Sequence, residues 1–140
     1  MTWKSFLVPT VLLFSVTGSG ESRSADQCEL LARVTTSVPF QVPLSAEILR
    51  CGTKSDIDVT IDATPRVSRH LSGSALMSFE QALEVVHTLT VAIARNPAKP
   101  GNQCAHPIGV QTKWGSFRAC PETDGDLVGR RIFEIANSVR

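Results

Sequence analysis

Hydrophobic and polar positions alternate strictly over residues 56–63, where Ile57, Val59, Ile61 and Ala63 interleave with Asp56, Asp58, Thr60 and Asp62. A two-residue period puts one set on each side of a pleated chain, so this segment is expected as a strand with a solvated acidic face. Thr64 and Pro65 supply a turn, and residues 66–71 are expected to return as a partner strand that brings Arg66 and Arg69 near the acids. Alternation resumes over residues 108–114. There Gly115 and Ser116 read as a two-residue hairpin turn that sets Trp114 opposite Phe117.

Elsewhere the period lengthens to that of a helix. Over residues 78–95, Phe79, Ala82, Leu83, Val86, Leu89 and Ile93 form one stripe, Ser78 and Gln81 read as a capping box, and Asn96-Pro97 stops the run. Residues 126–139 place Val128, Ile132, Ile135, Ala136 and Val139 on a stripe, with Thr123 or Asp124 as cap. Residues 26–34 read as a short helix in which Cys28, Leu31 and Ala32 share a face, and residues 43–50 as one or two helical turns ending at Gly52. The expected fold is therefore α+β: a small two-layer domain of about four largely antiparallel strands with helices on one face. No internal repeat is visible.

The first twenty residues carry a different signal. Lys4 precedes an apolar run over residues 6–16, followed by Thr17, Gly18, Ser19 and Gly20, the charged, apolar and small-residue parts of a cleavable export signal. The run holds Pro9 and falls short of the ~20 residues that cross a bilayer. Residues 1–20 are expected to be removed, with cleavage as late as 24, leaving residues 25–140 as a single domain that is secreted or periplasmic and has no stable membrane insertion.

Export changes how the four cysteines read. Cys28, Cys51, Cys104 and Cys120 are an even set for an oxidising compartment, so two disulfides are expected to staple a thin core. Three pairings are possible, and joining near neighbours in sequence is the simplest. Zinc is disfavoured, since no CxxC occurs and Cys104 with His106 is the only Cys/His crowding.

Charge excludes further classes. The chain has 14 Lys+Arg against 13 Asp+Glu, and loss of Lys4 leaves it balanced. Nucleic-acid binding needs a basic excess, and no Tyr is present to stack on bases. No cofactor is expected, because neither a phosphate-cradling loop nor a dinucleotide fingerprint appears.

Candidate chemistry is thin. Residues 56–60 match the DxDxT signature of haloacid-dehalogenase-like phosphotransferases, yet that family sets its aspartates at the end of a buried apolar strand, whereas here they alternate within one. Asp56, Asp58 and Asp62 are candidates for a hard cation, as are Asp124 and Asp126, but a flat strand face supplies few of the six to eight oxygens that calcium takes. His87 with Glu84 is a candidate acid–base pair, and His70 lies in a basic run with Arg66 and Arg69. None of these forms a complete catalytic set. The function expected is that of an exported binding protein of inhibitor, immunity or interaction type, its partner another protein or a small ligand. The alternatives are a small secreted hydrolase acting on nucleic acid or glycan, and a structural envelope or extracellular component.

Overall fold

A computed structural model describes residues 27–36, 44–62, 64–95 and 104–140. The expected export segment, its cleavage positions, Asp26 and Ala63 lie outside these residues. The elements run β1 (Cys28–Thr36), β2 (Leu44–Cys51), β3 (Asp56–Ile61), β4 (Val67–His70), α1 (Gly73–Arg95), β5 (Ile108–Thr112), β6 (Gly115–Ala119) and α2 (Asp124–Val139). The six strands form one antiparallel sheet in the order β4-β3-β2-β1-β5-β6. The fold is α+β with two disulfides, and the expected four strands are corrected to six.

Both added strands stand where short helices were expected. In β1 the register slips between Leu30 and Ala32, so Leu31 is an extra residue and the bulge buries Leu31 and Ala32 together. That break in the two-residue period makes Cys28, Leu31 and Ala32 imitate a helical stripe. The bulged carbonyl of Leu31 is satisfied by the Lys113 N–H at 3.2 Å. In β2, Ala46 and Ile48 face one side while Leu49 and Cys51 face the other, and all four are buried. Burial on both sides erases the alternation that marks a strand.

The helices cover one side of the sheet. Register aligns Ala32 and Val34 with Ala46 and Ile48, then with Ile57, Val59 and Ile61, and across β5 with Ile108 and Val110. These residues form the core with Val128, Ile132, Ile135, Ala136 and Val139 of α2 and Phe79, Leu83 and Val86 of α1. The α2 stripe is buried as expected. Two glycines let α2 approach closely: a Cβ on Gly125 would lie 2.3 Å from Ala119 Cβ, and one on Gly129 would lie 2.9 Å from Ile108 Cδ1. α1 packs on α2 and β6, and its Glu80 takes a 2.6 Å hydrogen bond from Arg50 of β2.

α1 starts five residues before the expected Ser78, which lies inside the helix. The Leu76 N–H donates to the Ser72 carbonyl, and Ala75, Leu76 and Met77 extend the helix toward its N-terminus. The helix buries Thr90, whose hydroxyl donates to the Val86 carbonyl at 2.7 Å, while Ala82, Leu89 and Ile93 are half-buried. The β5–β6 turn also differs from expectation, falling at Lys113-Trp114 with Thr112 opposite Gly115. Thr112 holds it by donating to the Gly115 carbonyl and accepting from the Trp114 N–H. Phe117 therefore pairs with Val110, and Trp114 leaves the sheet.

Disulfides lock two neighbouring-strand pairs. Cys28–Cys51 joins registered partners at the start of β1 and the end of β2, and Cys104–Cys120 closes the ends of the β5–β6 hairpin. Loops of 23 and 16 residues give each bridge a chain-entropy contribution of about 3 kcal/mol.

Candidate functional site

Strand alternation sends a second set of side chains to the side that, among the described residues, carries no helix. From β2 through β1 and β5 to β6, two adjacent rows cross this open face: Glu47, Arg33, Gln111 and Ser116, then Ser45, Thr35, Gly109 and Arg118. The first row is linked. Arg33 donates through Nε at 2.8 Å and through Nη2 to Glu47 Oε2, and its Nη1 reaches Gln111 Oε1 at 3.4 Å. The second row is interrupted, because Gly109 has no side chain. Between the rows lies a shallow depression of about 370 Å³ rimmed by Arg33, Thr35, Gly109, Gln111, Ser116 and Arg118, with Val110 and Phe117 also in its lining. Arg118 is exposed and has no hydrogen-bond or ion-pair partner among the described residues.

The three aspartates of the acidic strand do not converge. Asp56 accepts the Thr53 hydroxyl at 2.7 Å on one oxygen and lies 2.9 Å from His70 Nδ1 through the other. Asp58 is 5% exposed, beneath Arg66 at 3.5 Å, which corrects the expectation of a solvated acidic face at this position. Asp62 lies past the strand in a left-handed turn, where its carboxylate accepts the Ser45 N–H at 2.8 Å. Among the described residues, the ligand atoms of Cys28, Cys51 and Asp58 crowd within 4.8 Å of one another, but both sulfurs are spent in the disulfide. Asp126 accepts the Glu122 N–H and Arg130 Nε, and Asp124 opens α2.

The two candidate histidines are on opposite sides of the sheet. His70 is an exposed open-face residue of β4, registered opposite Asp56. His87 projects from α1, where it stacks on Trp114 with centroids 4.3 Å apart and planes 16° from parallel. Glu84 lies 3.4 Å from its Nδ1, and Lys113 stands 5.5 Å from the indole centroid while pairing with Glu29. The basic pair is split as well: Arg66 turns to Asp58 on the open face, and Arg69 donates to the Arg140 carbonyl. His106 is an exposed loop residue between Cys104 and β5.

The structure thus joins His70 to Asp56 and His87 to Glu84 but brings neither pair to the other. The residues of the Gly109 depression were not singled out by their chemistry. Gly109 itself left a trace, since a glycine inside an alternating run marks a bulge or a close approach. No protein-family model matches the chain. No curated protein matches it. Nor does any solved structure.

Proposed function

We propose that this is an exported binding protein, of inhibitor, immunity or interaction type, that recognises its partner through the face of the sheet opposite the described helices. One observation carries the reading: the described helices cover one side of the sheet, and on the other side β2, β1, β5 and β6 present rows of polar side chains with a depression between them. Two disulfides fit an oxidising, extracytoplasmic environment. The acid–base pairs favour binding over hydrolysis. Glu84–His87 is engaged against Trp114, and no third group is within hydrogen-bond reach of the other nitrogen of His70 among the described residues.

Site-specific photocross-linking tests the reading. A photoreactive residue placed at Thr60, Thr35 or Ser116 on the open face, or at Met77, Glu84 or Arg131 on the helices, is exposed to the native secreted or envelope fraction. Adducts are expected from the open-face positions. Adducts confined to the helical positions overturn the proposal. A hydrolase is detected separately: His70→Ala and His87→Ala are each expected to leave biological activity within a few-fold of normal, whereas loss of a general acid or base costs about a hundredfold or more.

A further inference from the structure

Gly109 occupies an interior position of a strand where no described residue requires glycine. Its backbone is not in the left-handed region, and among the described residues a Cβ built there would meet only the Thr35 carbonyl, at an ordinary 3.9 Å. Glycine inside a strand is less stable than alanine there, because it gives up more backbone freedom on folding. Gly125 and Gly129, by contrast, sit where a side chain collides. A gap that packing does not explain is the mark of a site where something else approaches the backbone.

The gap is flanked by donors. Arg118 stands beside it on β6 with its guanidinium uncommitted among the described residues, and Arg33 stands on β1, two strands across from Arg118 and one row along, about 12 Å away. The Arg118 side chain is long enough to reach over Gly109, while Arg33 is held in its own row. Glu47 anchors Arg33 from the β2 side and leaves Nη1 turned toward Gln111, beside the depression. The Thr35 and Ser116 hydroxyls complete the rim. Two guanidiniums against the single nearby carboxylate leave the rim net positive, and the planar fork of Arg matches a carboxylate.

Resting on the open-face reading above, we propose that the depression seats a Glu or Asp side chain of a protein partner, with its carboxylate over Gly109 between Arg118 and Arg33. The choice of a protein over a small anion follows from shape. A small-molecule site encloses most of its ligand, whereas this depression is shallow and continuous with a broad polar face.

The probe is a capped pentapeptide of glycine and threonine with one central glutamate, titrated to about 10 mM into the isotopically labelled protein. Saturable amide shifts are expected at Gly109 and at residues 116–118. Arg118→Gln is expected to weaken binding about tenfold, as is replacing the peptide's glutamate by glutamine. Gly109→Val is expected to abolish it, and Gly109→Ala, which meets no obstruction, serves if the valine variant does not fold. Arg131→Gln on α2 should leave binding unchanged.

Absence of saturable shifts, or shifts that persist at full strength in Arg118→Gln and the Gly109 variants, overturns the inference. Equal affinity for acetate or inorganic phosphate alone also overturns it, by making the depression a free-anion site. Those failures with open-face photoadducts retained would remove the carboxylate pocket alone. Adducts confined to the helices would remove the open-face reading with it.

Discussion

The two faces of this sheet are built from the same six strands and obey different rules. On the covered face, Ala32, Val34, Ala46, Ile48, Ile57, Val59, Ile108 and Val110 are almost wholly hidden, and glycines are dictated by collision with neighbouring side chains. On the open face, polar side chains pair locally: Arg33 with Glu47, Asp56 with His70, and Asp58 with Arg66. There, Gly109 is unconstrained. The covered face answers to packing density, so its residues report the fold. A free surface answers to solubility and to whatever it meets, so departures from local optimum there point to recognition.

The contrast is broken most forcefully at the centre of the covered face. Ile132→Ala is expected to cost about 2–5 kcal/mol in denaturant melts, because Ile132 is fully buried. Thr60→Ala, on the open face, should stay within about 0.5 kcal/mol. Comparable losses at both positions would mean that the open face is covered in the native protein.

The bridge at the edge of the open face comes next. Replacing Cys28 and Cys51 together by Ala is expected to remove about 3 kcal/mol, the loop-closure contribution for this separation. Thiol labelling of the denatured, unreduced wild-type protein should find no free cysteine, in keeping with the two bridges. Two labelled thiols would dissolve the framework.

How far the sequence revealed each face follows from the same division. Asp56–Ile61 was legible because one side of β3 is uniformly apolar and the other carries alternating polar residues. The α2 stripe was legible because that helix lies between core and solvent. β1 and β2 were obscured, the first by a bulge that inserted Leu31 into the alternation, the second by burial on both sides near the disulfide. The β5–β6 turn was misplaced because Gly115-Ser116 looked like turn chemistry, while the Thr112 hydroxyl stabilised a turn at Lys113-Trp114. Residue type alone marks candidate site residues in a sequence, but their placement on opposite sides of the sheet depends on register and packing between distant segments. His70 and His87 show this best.

Gly125→Ala sharpens the comparison on the covered side. Alanine suits a helix better than glycine, by about 1 kcal/mol in the interior and by less in the first turn where Gly125 stands, so propensity alone would make the change stabilising. Its Cβ, however, would lie 2.3 Å from Ala119 Cβ and 3.0 Å from Phe117 Cε2, and a methyl group has no rotamer by which to escape. α2 would have to lift from β6. Overpacking of this kind costs about 1–3 kcal/mol, so a net loss of roughly 0–3 kcal/mol is expected in denaturant melts.

The smallest effect is the most discriminating, and it has the opposite sign. Gly109→Ala adds a methyl group at a strand position with extended backbone and one neighbour at 3.9 Å, so no collision offsets the reduced freedom of the unfolded chain. The variant is expected to be more stable than the wild type by about 0.5–1 kcal/mol, measured as a rise in the denaturant midpoint with unchanged slope. A loss of stability at Gly109 would show that packing requires the glycine after all, and the depression would then need no ligand to account for it. A gain accompanied by weaker binding of the glutamate peptide would mean that the chain forgoes stability at this position to keep the open-face pocket free, the trade-off expected where a site is maintained for recognition.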